Sequence, residues 1–271
     1  MREHRHRAGR SGRLVLAGLL LFAASAIATM PACAASGRRP APPGAPAGAP
    51  AEYTRFSAAE LTRGFLALAF GSDLRVGGKP RGIRKFVEPA RVIVLDQGSV
   101  PRADAYKAVV RQFAASIPHL TVTLTDDSAA ANVIVRLIDE KRFIAAMEQA
   151  FGKSVARAFV ARTDPQCMTS ITSRPDGTIQ RADVFVITDQ GDDVFYDCAY
   201  HETLHAFGLS NHADRNPWTT LNQNRVVGYL SVYDRTLLTL LYDPRIRPGM
   251  TTAQVKRALP AAIASLPKPL D

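Results

Sequence analysis

The chain has 271 residues, of which 46% are hydrophobic and 21% are charged, so it is long enough to bury a substantial core. Its 34 lysines and arginines outnumber its 24 acidic residues, which gives a net charge of +10. The basic residues are scattered and form no nucleic-acid-binding motif, so the charge is not expected to bind nucleic acid.

Residues 1–35 have the pattern of a secretory signal peptide. A basic segment precedes an uncharged apolar run over residues 14–30, and small residues follow it. These small residues favour cleavage near Ala34 or Ala35 over retention as a membrane helix. The segment before Cys33 loosely resembles a lipobox, so a membrane tether through lipidated Cys33 stays open. The sequence therefore predicts export to the periplasm, the cell envelope or the medium.

The rest of the chain divides into a linker and one domain. Residues 36–52 are rich in Pro, Ala and Gly and predict a tether without a core, and residues 53–271 predict a single domain. Hydrophobic periodicity, capping boxes and turn residues give the elements of that domain. Helices are predicted over residues 57–70, 106–117, 143–151 (or to 161), 193–208 and 232–242, with a short helix from Thr251 limited by Pro260; strands are predicted over 91–96, 120–124, 132–138 and 182–188.

The predicted helix at 193–208 contains a motif with metal-binding spacing. His201 and His205 are four residues apart and so share one helical face, and Glu202 follows the first histidine. This is the H-E-x-x-H pattern, in which two imidazoles bind Zn²⁺ and the glutamate acts as a general base on water. No glutamate follows Glu202, which excludes an arrangement with a downstream glutamate as third ligand.

The third ligand is predicted from the residues after the helix. Gly208 can end the helix in a left-handed conformation and turn the chain back toward the metal. The pattern resembles H-E-x-x-H-x-x-G-x-x-H of metzincins, except that Asn211 stands at the last histidine position. We prefer His212, one residue later; Asp214 and the more distant Asp234 stay open as alternatives.

Two cysteines remain after Cys33 is set aside. In an oxidising compartment Cys167 and Cys198 predict a disulfide that ties the motif helix to the segment before it. The alternative is that Cys198, which shares a helical face with His201 and His205, is itself a metal ligand.

The predicted order of elements indicates an α+β fold of the zincin-like type. A mixed sheet precedes the metal-site helix, which follows the last strand, and the C-terminal part is mostly helical. The last strand is expected near the substrate cleft, where an extended peptide adds to the sheet edge. Met250, in a turn, is a candidate for the methionine beneath the ligands, and Tyr229 or Tyr233 is a weak candidate for steadying the oxyanion.

The domain also resembles the exported bacterial family known as domain of unknown function 2927. The resemblance rests on the two cysteines, the Gly208-Leu209-x-Asn211 segment, and residues 233–235, 241–245 and 248–250 (YDR, LYDPR and PGM). Many members carry Glu or Gln in place of His201 and His205. The resemblance therefore implies the zincin-like fold more than it implies activity.

These observations predict a secreted or envelope-tethered zinc metallopeptidase that acts on a peptide or protein substrate. His201, His205 and His212 would hold Zn²⁺, and Glu202 would take the proton of the attacking water. The alternatives are a non-catalytic zincin-like binding module of the envelope and a structural zinc site with four protein ligands. The sequence does not indicate the oligomeric state.

Overall fold

The computed structural model describes residues 38–39, 52–70, 82–160 and 166–267, with the backbone alone at 38–39 and 158–160. The predicted signal peptide lies outside the described residues, and so does most of the predicted linker. Within the described ranges, no helix has the length and apolar character that a membrane crossing requires.

The described residues form an α+β fold, as the sequence predicted. A short antiparallel pair, β1 and β2, precedes the domain, in which a five-stranded mixed sheet is combined with seven described helices. In chain order the elements are β1 (Arg38–Arg39), β2 (Glu52–Tyr53), α1 (Ala58–Ala69), β3 (Ala90–Asp96), α2 (Ala103–Ser116), β4 (Val122–Leu124), β5 (Val133–Ile138), α3 (Glu140–Phe151), α4 (Lys153–Val160), β6 (Cys167–Ser173), β7 (Ile179–Ile187), α5 (Asp192–Ala206), α6 (Val232–Tyr242) and α7 (Thr252–Ala264).

The strand order in the sheet is β4-β3-β5-β7-β6. The first four of these strands are parallel, and β6 runs antiparallel to β7 at the edge. The central strands β5 and β7 are apolar and mostly buried, as expected for strands covered on both faces. The prediction that the last strand before the motif helix offers a sheet edge to a peptide is wrong. β7 lies inside the sheet, and the edge strand beside that helix is β6.

Strand β6 was not predicted from the sequence. Its residues alternate only weakly in hydrophobicity, because Thr and Ser occupy both faces and Met168 is its only buried residue. A turn at Asp176-Gly177 forms the loop of a β6–β7 hairpin, in which Gly177 has φ +87°. A Cβ at Gly177 would lie 2.2 Å from the Ile83 carbonyl oxygen, so the position requires glycine.

Two helix ends differ from the prediction. Gly152, at φ +85°, ends α3, and α4 begins at the next residue, which divides the longer of the two predicted helices. The prediction that Pro260 limits the last helix is wrong, because α7 continues to Ala264. Leu259 and Ala262 are buried on the core face while Pro260 is exposed, so packing outweighs the lost backbone hydrogen bond.

Candidate metal centre

Helix α5 carries the motif and packs on β6 and β7. Its inner face is buried through Phe195, Ala199 and Leu204, and the Thr203 hydroxyl lies 2.9 Å from the Tyr106 hydroxyl of α2. His201 and His205 are one turn apart and only partly buried. The packing of one helical face therefore leaves both imidazoles at the margin of the interior.

The helix ends in a Schellman turn that fixes His205. The Gly208 N–H bonds the His205 carbonyl and the Leu209 N–H bonds the Leu204 carbonyl, while Gly208 adopts φ +110°. A Cβ at Gly208 would lie 2.2 Å from the Arg84 carbonyl oxygen, so the close approach also requires glycine. The turn places the Leu209 carbonyl at hydrogen-bond distance from His205 Nδ1.

The chain then returns His212 to the helix. The Asn211 side chain donates to the Ala67 carbonyl of α1 at 2.9 Å, so it is directed away from the two motif histidines. After it, the Ala213 N–H bonds the Leu221 carbonyl at 2.9 Å. Between these two anchors the loop directs His212 toward His201 and His205, and the one-residue departure from the metzincin spacing is accommodated.

The three imidazoles converge through their Nε2 atoms. The Nε2–Nε2 distances are 2.7 Å between His201 and His212, 3.1 Å between His201 and His205, and 3.2 Å between His205 and His212. A tetrahedral Zn²⁺ with Zn–N bonds near 2.0–2.1 Å holds its nitrogens about 3.3 Å apart. The triangle is thus slightly tighter than a zinc-bound set, and a small outward movement fits it to the ion.

Backbone carbonyls determine the tautomers of two of these rings. His201 Nδ1 lies 3.0 Å from the Thr220 carbonyl oxygen, and His205 Nδ1 faces the Leu209 carbonyl oxygen. A carbonyl only accepts, so each Nδ1 carries its proton and each Nε2 presents a lone pair. The Nε2 lone pairs of His201 and His205 lie 3.1 Å apart and repel each other. A cation bound between them would be attracted by both.

Burial opposes an alternative in which an additional proton, rather than a metal ion, is shared by the three rings. Burial lowers the pKa of His201 to about 4, that of His205 to about 3 and that of His212 to about 4. Repulsion from the protonated form of His201 and from the Arg84 guanidinium lowers the pKa of His205 further. All three rings are therefore neutral near pH 7, which is the form that binds a metal.

Glu202 is 4% exposed, and its Oε2 atom is buried without a hydrogen-bond partner among the described residues. Burial raises the pKa of the Glu202 carboxyl to about 8, and the nearby Asp197 carboxylate raises it further. A buried carboxyl oxygen without a partner is costly unless a water, a proton or a cation compensates it. The Thr169 hydroxyl of β6 donates to the Glu202 backbone carbonyl at 3.0 Å.

Sequence analysis missed Asp197, one turn before His201 on α5. Its Oδ1 accepts the Val227 N–H at 2.6 Å and the Gly228 N–H at 3.1 Å. It thereby ties the loop before α6 to the motif helix, and burial raises its pKa to about 6. The spacing of Asp197 and His201, four residues apart, was the available signal.

The alternative ligands have other roles. Asp214 accepts the Gln223 N–H at 3.1 Å, and Asp234 is buried beside Thr219 and Thr220. Within the described ranges, the histidine cluster includes neither carboxylate. Cys198 is bonded to Cys167, with Cα atoms 5.8 Å apart. The predicted disulfide is confirmed, and the alternative of Cys198 as a metal ligand is wrong.

Three further candidates from the sequence are Tyr233 and Tyr229, for steadying the oxyanion, and Met250, for the methionine beneath the ligands. Tyr233 is 2% exposed and its hydroxyl lies against Gly64 of α1, which gives no support to an oxyanion role. Tyr229 lines a small cavity with Trp218, and its role stays a prediction. Met250 accepts the Arg247 N–H through its sulfur at 3.0 Å, and its placement beneath the ligands stays a prediction as well.

Comparison with known proteins identifies a family for this domain. Curated proteins give no match, and solved structures give none either. The model of the family described as "Protein of unknown function (DUF2927)" matches residues 58–261, which include α1, the whole sheet, α5 and the three histidines. The match covers well over half of the 271 residues. The chain belongs to the DUF2927 family.

Proposed function

We propose that this protein is a zinc-dependent peptidase with a zincin-like fold that works outside the cytoplasm, either free or tethered to the envelope. The convergence of three Nε2 atoms within 3.2 Å carries the proposal. With their Nδ1 protons donated to backbone carbonyls, His201 and His205 both present an Nε2 lone pair, so these two nitrogens cannot bond each other. A soft to borderline divalent cation satisfies them together.

The donor set fits zinc in a catalytic site. Three imidazoles are a ligand set found where zinc keeps one position for water or substrate. Zinc bound there would activate a water molecule and polarise the scissile carbonyl. The proposal requires that a substrate reach this fourth position from outside, and each of the three histidines keeps part of its surface exposed.

Glu202 is the proposed general base. Its carboxylate takes a proton from the water as the water oxygen attacks the peptide carbonyl carbon, and returns it to the nitrogen as the C–N bond breaks. The raised pKa of Glu202, about 8 without metal, is that of a carboxyl kept from bulk water. A divalent cation bound by the neighbouring histidines of the motif would lower this pKa and favour the carboxylate that the mechanism needs.

Edge strand β6 is the proposed docking line for an extended peptide. It pairs with β7 on one side, and Thr169 joins it to the backbone of Glu202 on α5. A peptide added along the outer side of β6 would gain main-chain hydrogen bonds and pass close to the catalytic helix. The substrate class that this arrangement fits is a protein segment in extended conformation.

Untagged protein tests the proposal through zinc content and digestion of a peptide library. Wild type should contain about one zinc per chain, and Glu202→Gln should keep that zinc while hydrolysis falls about 10²–10⁴-fold. Gln imitates the neutral carboxyl present in the metal-free fold, so stability should not change. Exposed Glu88→Gln is the charge-matched control and should be fully active.

The outcomes separate the two functions considered. Zinc present with activity lost in Glu202→Gln supports the peptidase. Zinc present with no hydrolysis by the wild type across the library favours a non-catalytic binding module of the envelope. Hydrolysis at the wild-type rate in Glu202→Gln contradicts the proposed mechanism.

A further inference from the structure

Asp234 is a fully buried carboxylate that the proposed reaction does not use directly. It stands in the first turn of α6, where the helix dipole favours a negative charge. Its oxygens accept hydrogen bonds from the Thr219 hydroxyl at 2.5 Å, the Thr220 N–H at 2.7 Å and the Ser231 hydroxyl at 2.9 Å. Burial raises the pKa of the Asp234 carboxyl, and its hydrogen bonds from Thr219, Thr220 and Ser231 oppose that shift. Three donors on two oxygens suit the ionised form, which only accepts.

A chain of hydrogen bonds connects this carboxylate to a proposed metal ligand. His201 Nδ1–H donates to the Thr220 carbonyl at 3.0 Å. The N–H of that same peptide group belongs to Leu221 and donates to the Thr219 hydroxyl oxygen at 3.0 Å. The Thr219 hydroxyl in turn donates to Asp234 Oδ1. Every donor therefore points from the imidazole toward the carboxylate.

The common direction of these bonds has a physical consequence. Aligned hydrogen bonds in a low-dielectric interior polarise one another, so the effect of the carboxylate reaches the far end of the chain. A donor bond from the outer nitrogen of a ligating histidine fixes its tautomer and increases the electron density on the metal-binding nitrogen. The usual acceptor is a carbonyl or a carboxylate; here a peptide group and a hydroxyl lie between the carboxylate and His201.

We propose that Asp234 is a positioning residue for the metal ligand His201 and acts through Thr219 and the Thr220–Leu221 peptide. This inference rests on the proposed metal site, and it assigns to Asp234 a role other than the ligand role considered from sequence. The chain holds His201 Nε2 unprotonated and directed at the cation, and it places one negative charge behind the site.

His205 provides an internal comparison. Its Nδ1 bonds the Leu209 carbonyl, which belongs to the Schellman turn that ends its own helix. The orientation of His205 therefore follows from local sequence, whereas that of His201 depends on contacts with α6. Loss of the chain to Asp234 should weaken one ligand and leave the other two in place.

Metal affinity of the purified full-length protein, measured by competition with a zinc chelator, tests the proposal. Thr219→Val removes the hydroxyl while keeping the side-chain shape, and Asp234→Asn removes the charge. Each should lower zinc affinity about 10–100-fold. The double variant should lose no more than the worse single one, because both act on one chain of bonds.

Two further variants separate positioning from general stability. Thr219→Ser keeps the hydroxyl and should retain zinc affinity within about threefold of wild type, well short of the 10–100-fold loss expected when the chain is broken. Thr251→Ala removes the N-cap of α7, a contact outside the chain of bonds to His201, so it should lower the midpoint of urea unfolding without changing zinc affinity. A loss of zinc affinity in Thr251→Ala equal to that in Thr219→Val would overturn the proposal.

The histidine tautomer in metal-free protein gives a readout that needs no zinc. Nitrogen NMR of wild type should show His201 protonated at Nδ1. In Thr219→Val the Thr220–Leu221 peptide loses the acceptor that orients its carbonyl toward His201, so the Nε2–H form should become populated. An unchanged tautomer together with unchanged zinc affinity in Thr219→Val overturns the proposal. Failure of the wild type to bind zinc would instead refute the proposed function, and the tautomer comparison would still decide the role of Asp234.

Discussion

The sequence alone left three candidates for the third ligand of the proposed site, so His212→Ala is the most informative substitution. His212 supplies one of three converging nitrogens and lies on a loop, partly exposed. Its removal leaves two ligands on α5, too few for tight zinc binding at neutral pH. Without metal, truncation of this side chain should cost no more than about 1–2 kcal/mol, because no large core cavity forms.

The magnitude follows from ligand linkage. At free zinc a thousandfold above the dissociation constant, wild type gains about 4.1 kcal/mol of unfolding free energy. For a domain of about 200 residues each kcal/mol shifts the melting temperature by about 2–4 °C. Zinc should therefore raise the melting temperature of wild type by about 8–16 °C over chelator-treated protein. In His212→Ala this difference should fall close to zero.

Thermal unfolding with and without zinc, alongside zinc content, measures the effect. His119→Asn is the histidine control, since His119 is exposed and Asn tolerates its left-handed backbone at φ 63°. Asp214→Asn tests the alternative ligand and should bind zinc like wild type. The assignment is refuted if His212→Ala keeps the full zinc-dependent shift while Asp214→Asn loses it.

Two predictions concern pH, and a third concerns the disulfide. Since burial depresses the pKa values of His201, His205 and His212 to about 3–4, they stay neutral in the fold, and zinc should remain bound at pH 5; half-loss near pH 6.5 would contradict this. By the same shifts, urea titration of metal-free protein should show stability falling as pH drops from about 6.5 toward 4, by up to about 1.4 kcal/mol per pH unit for each ring, because only the unfolded imidazoles take up protons there. Replacing Cys167 and Cys198 by Ser should cost about 3–4 kcal/mol in urea unfolding. Zinc should be retained, because neither cysteine is a proposed ligand. Loss of zinc from the folded variant would contradict this.

Local sequence patterns account for much of the fold and for part of the candidate site. Periodicity and β-branched runs gave β3, β5, β7 and α6 because burial on defined faces leaves a pattern in the sequence. The i, i+4 spacing placed His201 beside His205, and Gly208 indicated the turn that follows. Each of these features is decided by residues within a few positions of one another.

Features that depend on distant contacts could not be predicted in the same way. Strand β6 is stabilised by pairing with β7 rather than by its own hydrophobicity, so its Thr- and Ser-rich sequence resembled a loop. His212, and not Asp214, lies beside the two motif histidines because of two anchors, Asn211 on α1 and the Ala213–Leu221 hydrogen bond. Neither anchor has a sequence pattern, because backbone carbonyls are the acceptors.

The two motif histidines are therefore held by different parts of the chain, although they are adjacent on one helix. His205 is oriented by its own helix end, but His201 and His212 both depend on the segment at residues 219–221. That segment accepts the His201 proton through Thr220 and anchors the His212 loop through the Leu221 carbonyl. It is in turn fixed by Asp234 of α6. Two of the three proposed ligands are thus held by contacts that depend on α6, so we expect the proposed metal site to assemble only when α6 is packed in place. Zinc binding should consequently depend on whether the C-terminal part is folded, and not only on the stability of α5.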